Sequence, residues 1–278
     1  MTKSKKSLGQ HFLVDKNIIR KIIQEANLTK DDIVIEIGAG HGELTLPLSE
    51  QVGHIYAIEK DPGLCYKLKK SIKDKRIHNI TVIKEDILKV DLHKLEDFSE
   101  KKAIIMGNIP YNLSSLILQK LISSKDIIKK AVLMFQLEYA KRLTATPGTK
   151  EYGALTLLIS YHATVKELFY VSRNVFFPKP AVDSMVVEIM FDKSYPNFCE
   201  SAFRYTVNAT FSHRRKNILN SLTAYMKGSG IGKEELKKVL LDAGIDPTVR
   251  AESLKMEDFL RLSSRIKEYL LKNSAHNQ

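Results

Sequence analysis

Twenty residues, Asp31 to Glu50 (DDIVIEIGAGHGELTLPLSE), constrain the fold of this 278-residue chain more than any other stretch. Ile33 to Ile37 is a β-branched apolar run of strand type, Gly38 to Gly42 is a glycine turn, and Glu43 to Gln51 predicts a short helix with Leu44 and Leu48 on one face. Strand, glycine turn and helix in this order let backbone N–H groups and a helix N-terminus approach a nucleotide-like ligand closely. A dinucleotide fingerprint would place glycines at its first, third and sixth positions, and here the sixth is Glu43. Gly38, Gly40 and Gly42 alternate instead, preceded by Glu36.

The same alternation continues downstream. HIYAIE ends in Glu59, 21 residues after Gly38, where an acid at a strand tip suits ribose hydroxyls. Asp61 and Pro62 form an N-cap and first-turn pair. NITVIKED ends near Asp86, able to accept an adenine amino hydrogen, and Ile87, able to pack on the ring. AIIM (Ala103 to Met106) predicts a fourth strand and AVLMFQ a fifth, with helix LEYAKRL after it. LTLLISYHATV and SMVVEIMF complete the set as further strands, with VFFPKPAVDS between them. Strands alternating with helices, then a late strand pair, indicate an α/β doubly wound, mostly parallel sheet with an antiparallel edge strand. Lys16 to Ala26 predicts an earlier helix, behind a basic N-terminal arm. From Cys199 onward only helical patterns occur, so the expected division is an α/β domain over residues 1–192 and a smaller all-α domain over 193–278.

The chemistry is expected in MGNIPYNLSS (Met106 to Ser115), at the carboxyl end of the fourth strand, where open α/β sheets bind ligands. Asn108 offers a side-chain carbonyl, and the Ile109 carbonyl is steered away from helix by Pro110. Two adjacent acceptors can grip both hydrogens of an amino group, and the Tyr111 ring can stack on a flat heterocycle. Taken alone, the tetrapeptide reads first as a tight turn. The glycine cradle and Glu59 upstream, together with Phe176 downstream, reverse that preference.

Lys plus Arg number 44 against 32 Asp plus Glu, a net charge of +12 and a pI near 9.4, which favours a polyanionic partner, nucleic acid before membrane. Only Cys65 and Cys199 are present, so no disulfide framework or thiolate metal site is indicated and no metal is expected. No apolar run of membrane-spanning length or signal-peptide type occurs, and a cytoplasmic location is expected.

Eight segments in order, GQHFLVD, EIGAGHG, Glu59, Glu85 to Ile87, GNIPYN, FFPKPAVDS, HRRKNILNSL and RAESLKMEDFLRLS, resemble the ribosomal RNA adenine-N6,N6-dimethyltransferases that modify small-subunit rRNA. The resemblance implies S-adenosylmethionine as methyl donor, two adjacent adenines in small-subunit rRNA as target, an immature ribosomal subunit as partner, and a monomer. It implies donor contacts at Gln10, His11, Leu13, Gly38, Gly40, Glu59, Lys60, Asp86, Ile87 and Asn108. It also implies a reaction centre at Asn108, Ile109, Pro110 and Tyr111, with Phe176 as a second aromatic clamp and Phe177 as the better core residue if the two alternate. RNA contacts are expected from Lys5, Lys6, Arg142, Arg214, Arg215 and Lys216. Large-subunit rRNA adenine methyltransferases share the motifs through Phe-x-Pro-x-Pro but are not expected to share the last two. The other alternative is a non-catalytic RNA-binding assembly factor on the same fold.

Overall fold

The computed structural model describes residues 11–95, 98, 101–227 and 231–276. Lys5, Lys6 and Gln10 lie outside the described residues.

Contacts divide the chain into two compact units, one formed by residues up to Ala140 together with Thr164–Phe191, the other by Lys141–Ala163 together with Asp192–Gln278. The first begins with a short strand β1 (Phe12–Leu13) and helix α1 (Lys16–Glu25), whose N-cap Asp15 accepts from the amides of Asn17 and Ile18. Then come β2 (Ile33–Ile37), α2 (Thr45–Leu48), β3 (His54–Glu59), α3 (Pro62–Asp74), β4 (Ile80–Lys84), β5 (Ala103–Asn108), α4 (Ser114–Ser123) and β6 (Ile128–Gln136). Helix α2 covers only the middle of the expected Glu43–Gln51 helix. Helix α5 (Leu137–Thr144) leads out of this unit and α6 (Ala154–Ser160) lies in the other, while β7 (Thr164–Val171), β8 (Phe176–Phe177) and β9 (Ser184–Met190) return to the sheet unit.

Seven strands form one sheet in the order β4-β3-β2-β5-β6-β9-β7. The first five are parallel, β9 runs antiparallel to β6, and β7 pairs antiparallel with β9. The doubly wound, mostly parallel sheet is therefore present. The strand that runs against the rest is β9, next to the edge strand β7 rather than at the edge.

Strand order reverses between β2 and β5, and their carboxyl ends deliver Gly38 and Asn108 side by side at the topological switch point. Gly107 makes that approach possible. It pairs with Ile37, has φ +158°, and a Cβ there would run into the Ile37 carbonyl oxygen. Ile104, Met106, Val34, Ile55, Ala57, Val132 and Met134 fill the core on one side of the sheet with Leu13, Ile19 and Ile22.

The second unit is helical: α6 joins α7 (Glu200–Phe211), α8 (Ile218–Tyr225), α9 (Lys233–Asp242) and α10 (Met256–His276). Three sequence expectations change here. LTLLISYHATV is a helix followed by a strand rather than one strand, because Leu157 and Tyr161, one helical turn apart, bury on one side, with the Tyr161 ring 4.6 Å from that of Phe203. For the same reason residues 141–163 group with the helical unit, whereas the expected boundary had kept them in the first domain. RRKNILNSLTAYM, expected to be helical like the rest of the chain after Cys199, is not helical from its start: Arg214 and Arg215 lie in a turn and Lys216 in a bend before Asn217 caps α8.

Candidate active site

The carboxyl ends of β2, β3 and β5 and the segment after β4 open on a cleft of about 280 Å³. Its walls include Gly38, Gly40, Glu59, Asp86, Ile87 and Asn108, with Ile109, Pro110 and Tyr111 beside them. These residues predicted for donor binding and for chemistry thus share one cleft, whereas Leu13 and Phe176 do not line it.

Gly38 (φ +76°) and Gly40 (φ +59°) adopt left-handed conformations, and a Cβ on Gly40 would press on the Phe12 ring at 3.3 Å. The Gly40 N–H donates to Glu59 Oε2 at 3.0 Å, and the Asp61 N–H donates to Glu59 Oε1 at 2.8 Å. These bonds fix the carboxylate and leave each oxygen a lone pair toward the cleft. Asp86 accepts from Lys60 Nζ at 2.8 Å and from the Leu88 N–H at 3.0 Å. The Lys60 ammonium holds the Asp86 carboxyl below its usual range. Ile87 is buried beside it.

Asn108 ends β5, and its Nδ2 donates to the main-chain oxygen of His11 at 3.0 Å. A carbonyl oxygen can only accept, so the contact fixes which end of the amide is which and leaves Oδ1 without a donor among the described residues. The Ile109 N–H donates to Met134 O at 3.0 Å, while its carbonyl meets no donor among the described residues. Two acceptors without a donor among the described residues therefore belong to consecutive residues at the cleft wall. The Tyr111 hydroxyl lies 3.4 Å from the fully buried Ser184 hydroxyl, and burial pushes the phenol's pKa up.

Phe176 is not an exposed clamp. It is 4% exposed in the core, whereas Phe177 is 64% exposed, the reverse of the expected alternation. The cause is register: β8 pairs antiparallel with β1, Phe176 opposite Leu13 and Phe177 opposite Phe12, so Phe176 shares the inward face with buried Leu13. Leu13 itself lines a smaller inner cavity of about 60 Å³ rather than the main cleft.

That inner cavity is the feature sequence reasoning missed. Glu36, His11, Phe12, Gly38, Gly40 and Asn108 are among its walls. Glu36 is 2% exposed, and its Oε2 has no hydrogen-bond partner among the described residues. Burial, reinforced by the neighbouring Glu43 and Glu59 carboxylates, pushes its pKa up to about 8. An acid inside an otherwise apolar strand was the available signal. In a carboxyl whose folded pKa is raised, the folded state holds a proton that the unfolded chain releases, so stability falls as pH rises from about 4.5 to about 8. Glu36→Gln is expected to flatten this slope. Its melting temperature should exceed that of the parent by several degrees at pH 8 and by much less at pH 5, and equal differences at both pH values would refute a neutral Glu36.

Among the residues predicted to contact RNA, Arg142, Arg214, Arg215 and Lys216 are exposed. Arg214 donates through Nη2 to the carbonyls of Lys150 (2.6 Å) and Tyr152 (2.9 Å), so it braces a turn of its own unit. Among the described residues no cluster able to hold a metal ion occurs, and no helix is long and apolar enough to cross a membrane.

A doubly wound sheet with a glycine turn after β2, an acid at the tip of β3 and Asn-Ile-Pro-Tyr after β5 defines a Rossmann-like methyltransferase domain. The family model for ribosomal RNA adenine dimethylases matches residues 1–268, and the chain belongs to that family. It is 41% identical over 265 residues to a ribosomal RNA small subunit methyltransferase A of Desulforapulum autotrophicum, covering 95% of this chain and 92% of that protein. A namesake from a Geobacillus species is 39% identical over 271 residues, covering 96% and 92%. Among solved structures, a dimethyladenosine transferase from Plasmodium falciparum superposes with a TM-score of 0.77 at 29% identity, covering 92% of this chain and 98% of that one. The 23S rRNA methyltransferase ErmE does so with 0.68 at 26%, covering 92% and 99%.

Proposed function

We propose that this chain transfers methyl groups from S-adenosylmethionine to the N6 amino groups of two adjacent adenines in small-subunit rRNA, giving N6,N6-dimethyladenosine. The observation that carries the reading is the pair of acceptors that meet no donor among the described residues, Asn108 Oδ1 and the Ile109 carbonyl, at the switch point of the sheet.

The cleft fits the donor. Gly40 leaves open the space a Cβ would fill, and the Glu59 and Asp86 carboxylates on the cleft wall offer acceptors to a ligand rich in hydroxyl and amino groups. When bound, S-adenosylmethionine supplies a methyl group activated by a positively charged sulfur. Glu59 would accept from the ribose hydroxyls, Asp86 from the adenine amino group, and Ile87 would pack on that ring, with Gly38 and Gly40 toward the methionine end. Lys60, through its bond to Asp86, would hold that carboxylate in place.

An adenine amine is a poor nucleophile because its lone pair is delocalised into the ring. Asn108 and Ile109, each accepting one hydrogen, favour a more tetrahedral nitrogen and aim its lone pair at the methyl carbon. Positioning and fixed dipoles thereby supply most of the barrier reduction, and no strong base is required because the nitrogen becomes acidic only after transfer. Tyr111 would stack on the extruded base. A stacking role for Phe176 would require β8 to turn that ring out of the core. Arg142, Arg215 and Lys216 would contact phosphates and set the register of the RNA.

Titration calorimetry with S-adenosylmethionine tests the donor site. The parent chain should bind, and Glu59→Gln should weaken binding about tenfold or more, as expected for loss of charge-assisted hydrogen bonds. An unchanged affinity would place the ribose elsewhere. No binding by the parent would favour a non-catalytic assembly factor.

A further inference from the structure

His11 joins three segments that the sequence keeps far apart. Its ring Nδ1 lies 2.8 Å from the Pro178 carbonyl oxygen, and because that oxygen can only accept, Nδ1 carries the proton and donates. Its ring stacks on Tyr111 with centroids 5.8 Å apart and planes 26° from parallel. Its main-chain oxygen accepts from Asn108 Nδ2. The backbone register between β1 and β8 runs from Leu13 opposite Phe176 to Phe12 opposite Phe177. His11 lies one residue beyond it, and there the side chain makes the tie to the second strand.

This arrangement bears on the chemistry because an amide has two ends of similar shape and opposite polarity. If the Asn108 amide flipped, Oδ1 would face the His11 carbonyl oxygen, two acceptors in contact, and an N–H would face the target amine, which also carries hydrogens. The His11 oxygen decides between the two orientations only while it stays in place. Holding it are the Phe12 rung on one side and the ring tie to Pro178 on the other.

We propose that His11 is a positioning residue for methyl transfer: its ring, anchored on Pro178, holds its own main-chain oxygen so that Asn108 presents Oδ1 to the target amine. The proposal rests on Asn108 being the amine acceptor, and it differs from a donor contact by His11, which would show in donor affinity rather than turnover. The stacked ring gives Tyr111 a second support besides Ser184.

Three variants of the full chain separate these roles, each assayed for kcat and KM with undermethylated small subunits and for donor affinity by calorimetry. His11→Ala is expected to lower kcat about tenfold while donor affinity stays within twofold. His11→Asn, which keeps a short N–H donor for Pro178, should recover most of the loss. His11→Phe, which keeps a ring against Tyr111 but has no donor, should remain as slow as His11→Ala. Unchanged kcat in His11→Ala, a donor affinity that falls in parallel with kcat, or equal rescue by Phe and Asn would each overturn the proposal. Failure of the underlying reading is seen separately, as full activity in Asn108→Ala.

Discussion

Asn108→Ala should lower methyl incorporation about 10²–10³-fold with donor binding nearly intact, the loss expected when one preorganised polar group at a reaction centre is removed. The side chain is half-buried at the end of β5, its Nδ2 is committed to His11, and its Oδ1 is the acceptor left for the substrate. Asn108→Asp sharpens the point. A carboxylate in that place would set an acceptor against the His11 oxygen, so the acidic variant should also be slow although it retains an acceptor for the amine. Turnover of Asn108→Ala within threefold of the parent would remove Asn108 from the chemistry.

The second large effect is on stability. Gly107→Ala should destabilise the sheet unit by about 3 kcal/mol, read as a lower denaturation midpoint with unchanged slope. The cost has two sources in the same residue: φ of +158°, which side chains rarely adopt, and a Cβ directed at the Ile37 carbonyl. Both arise because β2 and β5 must lie close enough to bring the glycine turn and the NIPY loop to one cleft. A change below about 0.5 kcal/mol, within the range of an ordinary surface substitution, would show that no such close approach exists.

The features legible in the sequence were those in which local pattern and tertiary environment agree. Apolar β-branched runs such as Ile33 to Ile37 became central strands, the alternating glycines became the left-handed turn, and Glu59, Asp86 and Asn108 all arrived at strand ends on one cleft. The failures came where pairing between distant segments decides. Nothing local to FFPKP indicates which phenylalanine faces inward; that is set by the register with β1, 165 residues earlier at Phe12 opposite Phe177. The short apolar run LTLLIS fits strand or helix equally by composition, and the helix wins because Leu157 and Tyr161 find partners such as Phe203 on one side. Glu36 looked like a flank to the glycine turn and proved to be a buried acid whose Oε2 has no hydrogen-bond partner among the described residues, which becomes visible only when both neighbouring strands are in place.

Nucleoside analysis of rRNA after reaction tests the central claim most directly. Small subunits lacking the modification, incubated with the full chain and S-adenosylmethionine, should yield N6,N6-dimethyladenosine in small-subunit rRNA at two adjacent positions, and the same reaction with Asn108→Ala should yield almost none. Methyl label confined to large-subunit rRNA, or small-subunit rRNA without dimethyladenosine, would contradict the account.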